Sequence, residues 1–189
     1  MALVFAAPLL LLAEPAAAQQ DPEGTLFIGY SYLRLNSEGA DRGNAHGFEV
    51  DYTYHLARRV GFVLTASAHW GEIDAPPNIF NVSRFDARQL TFMAGPHFVL
   101  WRGFTSEVGI RALAGVTGRR FDTSVGSIKT LDQWEFTYGA SLNLDVRISD
   151  KLWWRVLQPS VIFHRFDDDF RHDYRIATGI VIRGGEILQ

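Results

Sequence analysis

Ten ionisable side chains share one parity within their segments: Glu49, Asp51, His55, His69, Glu107, Arg111, Glu135, Asp145, Arg147 and Arg175. Acids mixed with arginines suit a confined interior, where an isolated charge is costly and a partner offsets that cost. We expect an ion-pair lattice centred on Arg111, with Glu49 or Asp51 as its partner, and Arg147 paired with Glu107. The stagger between segments decides individual pairs, and no single segment encodes it. Ser67 and His69 lie two residues apart, the geometry of a nucleophile and its base if an acid oriented the His. Asp167, Asp168 and Asp169 could hold Ca²⁺ or Mg²⁺, although a solvated acidic loop is the expected reading. Asn81-Val82-Ser83 is formally a glycosylation sequon and carries no weight here. No Cys occurs, so disulfides and thiolate metal sites are excluded. A net charge of −3 without a basic cluster argues against nucleic acid as a partner.

The elements that must position these residues have a period of two. Phe48, Val50, Tyr52, Tyr54 and Leu56 alternate with Glu49, Asp51, Thr53 and His55, which places the two sets on opposite faces of a strand. Segments 25–35, 60–70, 89–100, 104–117, 134–148, 152–166 and 173–183 repeat the pattern, so eight strands are expected. In the seventh, Arg155 and Gln158 fall on opposite parities and Pro159 sits mid-strand, which predicts a bulge near 156–159. Pro96 raises the same question in the fourth. Connectors 57–59, 101–103 and 149–151 are short, whereas 36–45, 71–88, 118–133 and 167–172 are mostly longer. Short turns at one end and long loops at the other predict an all-β, eight-stranded antiparallel up-and-down barrel, with periplasmic turns and extracellular loops. An even strand count places both chain ends on the turn side.

Alternation alone does not say which face is wet, because soluble sandwiches and barrels produce the same string. Two features favour lipid outside. The only lysines, Lys129 and Lys151, lie outside every expected strand. All five tryptophans, Trp70, Trp101, Trp134, Trp153 and Trp154, lie at or beside strand ends, where an aromatic girdle meets the headgroups. In hydrocarbon every strand must pair, so the sheet must close. Residues 1–18 read as a cleavable signal peptide: an apolar run to Ala13, then Ala16-Ala17-Ala18 before Gln19, too short to span a bilayer. No Lys or Arg precedes that run, a departure from the usual pattern. Residues 19–189 are then one barrel domain.

The segments "FIGYSYLRL" (27–35), "ALAGV" (112–116), "LDVRISDKLWWRVLQPSVIFHRF" (144–166) and "RIATGIVIR" (175–183) carry a resemblance. Over essentially all of 24–184 the chain resembles the OmpA/OmpX-like eight-stranded outer-membrane β-barrel proteins of Gram-negative bacteria. The resemblance implies an outer-membrane location, a non-enzymatic role and no cofactor. It implies membrane lipid and lipopolysaccharide as surroundings, and the barrel-assembly machinery and periplasmic chaperones as partners during biogenesis. Two departures stand out. The tail, Gly184 to Gln189, lacks the terminal aromatic that the assembly machinery reads, and the expected chain is the barrel without the peptidoglycan-binding domain of OmpA-type proteins. Barrel-type lipid A deacylases have a His-x-Ser order that is missing here, and Ser67 and His69 lie on the interior parity, away from lipid. The expected function is structural, adhesive or protective, exerted through the extracellular loops. The alternatives are a small porin-like channel and a soluble, lipocalin-like binder of apolar ligands.

Overall fold

A computed structural model describes residues 24–35, 43–74, 84–122, 133–166 and 169–184. They form β1 (Gly24–Arg34), β2 (Asn44–Ala57), β3 (Val60–Asp74), β4 (Arg84–Arg102), β5 (Ser106–Asp122), β6 (Gln133–Arg147), β7 (Leu152–Phe166) and β8 (Asp169–Arg183). Each strand pairs antiparallel with the next, and β1 also pairs with β8, so the sheet closes into a barrel with no free edge. The expected signal peptide, the Asn81 sequon, Asp167, Asp168 and the tail beyond Gly184 lie outside the described residues.

The faces are inverted relative to a soluble protein. Phe48 is 62% exposed while its neighbour Glu49 is 0% exposed, and this contrast repeats around the barrel. Ile28, Leu64, Phe92, Leu142 and Ile180 form part of a continuous exposed apolar belt, far larger than the patches soluble monomers tolerate. The interior instead holds Thr, Ser, His, acids and arginines. A soluble binder of apolar ligands needs the opposite arrangement, so the lipocalin-like alternative does not fit. The belt needs hydrocarbon around it.

Four strands outrun their expected ends on the long-loop side: β2 begins at Asn44, β3 continues to Asp74, β4 begins at Arg84 and β5 continues to Asp122. β8 begins at Asp169, which leaves only 167–168 between it and β7 rather than the expected six-residue loop. About 9–11 residues cross a bilayer, whereas β4 has 19 residues, so its polar end stands clear of the membrane. There the ladder of paired strands continues beyond the segments read from alternation.

The bulge expected in the seventh strand is present. Arg155 pairs with Gly179 and Gln158 with Ala177, so two residues of β7 oppose one of β8 and register shifts between them. The extra residue brings Arg155 and Gln158 to the same inner face despite their opposite parity. Pro96 causes no shift: Ala94↔Ala114 and His97↔Arg111 keep one register around it. Apolar side chains inside are few. Val63, Met93, Leu113 and Ile162 form one cluster, Leu33, Leu35 and Ala45 a second at the loop end, and Phe27, Trp153, Ala177 and Val181 a third.

Candidate functional site

The middle of the lumen is crossed by one network. Asp51 on β2 accepts from Arg111 Nη1 of β5 at 2.5 Å and from Arg155 Nη1 of β7 at 3.0 Å. Arg155 also grips Asp145 of β6 through two parallel bonds, Nε to Oδ1 at 2.7 Å and Nη2 to Oδ2 at 3.0 Å. That fork-on-carboxylate geometry is the strong form of the ion pair. Gln158 accepts from Arg155 at 2.7 Å and Arg111 at 3.2 Å, while its amide donates to Glu49 at 2.5 Å. Glu49 lies 3.1 Å from Arg175 Nε, and Arg175 Nη1 donates to Ser67 at 3.1 Å. The Arg155 guanidinium also sits over the Phe27 ring, 4.4 Å from its centroid.

The three arginines Arg111, Arg155 and Arg175 face three carboxylates, Glu49, Asp51 and Asp145, so formal charge cancels. None of the six is more than 3% exposed. Partners on β2, β3, β5, β6, β7 and β8 span the cross-section. In barrels of eight strands side chains fill the interior, and here the filling is ionic.

Smaller groups flank it. Toward the short turns, Glu107 pairs with Arg102 at 2.5 Å and Arg183 at 3.1 Å, and the Arg183 guanidinium lies 3.8 Å from the Trp153 ring centroid. His55 hydrogen-bonds Thr25 at 3.0 Å, with its ring 6.0 Å from that of His97. Toward the loops, Asp173 meets Arg119 at 2.8 Å and His164 Nε2 at 3.0 Å. The other His164 nitrogen lies 3.2 Å from Thr137 and 4.0 Å from Glu135. Thr137 donates to Thr117 at 2.9 Å, and Thr117 meets Thr91 at 3.1 Å, which extends a hydroxyl chain across β4, β5 and β6.

Of the residues expected to form a lattice, Glu49, Asp51, Arg111, Asp145 and Arg175 are brought together, whereas Glu107, Glu135 and His55 belong to the flanking groups. Two placements correct the sequence reading. Arg147 lies at the mouth, where it pairs with Asp150 in the β6–β7 turn and lies over Phe104 at 5.0 Å, so it does not reach Glu107. Trp153 is 7% exposed and points inward, whereas adjacent Trp154 is 45% exposed and faces out. Neighbours on a strand point to opposite faces, so only one of the pair can belong to a girdle. Trp70, Trp101 and Trp134 are exposed on the outer face, with Trp154.

Arg155 and Gln158 lie at the centre of the network and were not among the expected lattice residues. Their signal was present as the parity break itself: counting inward positions separately on each side of the bulge places both inside. The Ser67–His69 pair is not a nucleophile–base pair. His69 Nε2 meets Ser31 at 2.9 Å, and the Ser67 hydroxyl accepts from Arg175. Among the described residues no group of three or more His, Cys, Asp or Glu is placed to hold a metal ion.

No family model matches the chain, and no curated protein sequence matches it. Solved structures do. Neisserial surface protein A matches with a TM-score of 0.66 at 7% identity, over 84% of this chain and 96% of that one. Ail, the attachment invasion locus protein of Yersinia pestis, matches with a TM-score of 0.56 at 15% identity, over 86% of this chain and 99% of that one. The fold is that of the eight-stranded outer-membrane barrels. The outer membrane protein OprG from Pseudomonas aeruginosa matches this barrel with a TM-score of 0.56 at 13% identity, over 89% of this chain and 98% of that one. At such identities the likeness carries the barrel architecture alone.

Proposed function

We propose that this chain is a non-enzymatic integral protein of the outer membrane, with its lumen closed and its longer loops turned outward to act. The observation that carries the closed lumen is the charge-neutral network of Arg111, Arg155 and Arg175 with Glu49, Asp51 and Asp145, buried across the barrel. An ion entering would have to part buried pairs, and removing one partner of such a pair costs about 3–5 kcal/mol. The reading without catalysis is supported by Ser67 and His69, each engaged with a different partner. Membrane lipid and lipopolysaccharide then surround the belt, and the assembly machinery and periplasmic chaperones deliver the chain. A structural, adhesive or protective role is exerted by the connecting segments 75–83 and 123–132, whose accessibility on intact cells is the direct measurement.

Single-channel recording in planar bilayers tests the closed lumen. The folded protein, recognised by its altered gel mobility before boiling, is expected to show no steady conductance. The double variant Asp51→Ala/Arg111→Ala, which opens the network while keeping it neutral, is expected to conduct. Steady conductance by the unaltered protein would favour the channel reading instead.

A further inference from the structure

On the outer face, near the loop end, the register assembles a feature that the lumen network does not use. Arg88 of β4 and Arg120 of β5 are directly opposite each other, and both side chains are exposed. Trp70 of β3 pairs with Arg88 on one side, and Trp134 of β6 pairs with Gly118 on the other. A pocket of about 250 Å³ lies among Trp70, Arg88, Leu90, Gly118, Arg120 and Trp134.

The walls are held. The Trp134 ring lies over Gly118, where an added Cβ would come within 3.1 Å of it, and it stacks on Phe92 at 6.5 Å. Trp70 packs edge-on against Phe48 at 6.4 Å. Below the arginines the outer face becomes Leu90, Phe92 and Val116, part of the lipid belt. Like charges directly opposite on adjacent strands repel. Both arginines also have interactions within the protein.

Tryptophans of a girdle mark the headgroup level, and the long-loop end faces the outer leaflet. Two guanidiniums there match a phosphate through paired charge-assisted bonds. The flat indole walls match the C–H faces of a sugar ring, and the aliphatic belt below receives acyl chains. We propose that the Trp70–Arg88–Arg120–Trp134 pocket binds a phosphorylated glycolipid of the outer leaflet, with phosphate on the arginines and sugar between the tryptophans. The site goes beyond the closed-lumen reading and rests only on the barrel's bilayer placement, which gel mobility and fractionation report separately.

The test is native mass spectrometry of the refolded, detergent-solubilised full chain with bisphosphorylated lipid A as probe, in the presence of EDTA. Binding is expected, with affinity falling about tenfold for Arg88→Gln, about tenfold for Arg120→Gln, and further in the double variant. Trp134→Ala is expected to weaken binding less. Arg34→Gln, which removes an exposed arginine at the same barrel end outside the pocket, is expected to leave binding unchanged. The double Gln variant removes a like-charge pair and should fold; if it does not, the single variants carry the comparison. Any of four results overturns the proposal. They are undiminished binding by the single and double Gln variants, equal binding of phosphatidylglycerol, full competition by millimolar inorganic phosphate, or loss of binding in EDTA, which would assign the contact to a bridging cation.

Discussion

Replacing Arg155 with Met tests whether the lumen is held by ions or merely filled by them. Met keeps much of the volume, so the loss reports charge and hydrogen bonding rather than a cavity. Asp51 retains Arg111 at 2.5 Å, but Asp145 retains only the Asn143 amide at 3.2 Å. An orphaned carboxylate of that kind costs about 3–5 kcal/mol, and losing the stacking over Phe27 adds about 1–2 kcal/mol. These effects overlap, so we expect a loss of about 4 kcal/mol, a large share of the roughly 5–15 kcal/mol that stabilises a typical domain. Urea titration in lipid vesicles, followed by tryptophan emission and unboiled gel mobility, measures it. Asp145→Asn alone leaves Arg155 its bonds to Asp51 and Gln158 and should cost less. The double variant Arg155→Met/Asp145→Asn should cost at least about 2 kcal/mol less than the two single losses summed, because the carboxylate stranded in one is absent from the other. A loss below about 1 kcal/mol for Arg155→Met, or strict additivity of the pair, would refute the ionic account.

Two further predictions concern the wall. Brominated lipid should quench the Trp154 emission and spare Trp153; comparing Trp153→Phe with Trp154→Phe reads this, and equal quenching would place both rings in lipid. Gly179 faces Gly29 across β1 and β8, and a Cβ at 179 would run into the Gly29 backbone and the Ile28 carbonyl. Gly179→Ala should therefore cost about 1–3 kcal/mol and lower the folded fraction, whereas Ala94→Gly, on the outer face, should barely change it.

Much of the barrel is written locally. Residues 48–56 alternate because lipid and lumen make opposite demands, and absence of Lys from the expected strands shows that neither face is ordinary solvent. The same logic stops short at the long-loop end: 71–74, 84–88 and 118–122 continue as strand beyond the segments that alternation marked. The outer pocket depends on that stretch of register, so Trp70 and Trp134 were legible as girdle residues while their enclosure of two arginines was not.

The sequence by itself determined the strands, their faces and the closed, even-numbered barrel, because period two, turn length and hydrogen-bond closure are local or global necessities that need no stagger. Only the tertiary structure decided which charges meet. Arg155 reaches Asp51 across 104 residues of chain, and a one-residue shift at the β7 bulge determines whether Gln158 joins them or faces lipid. Register is set by the whole closed sheet at once, and parity along a single strand carries no information about its neighbour's height. Arg147 shows the consequence: its type and parity suit the lattice, but its height at the turn pairs it with Asp150 instead.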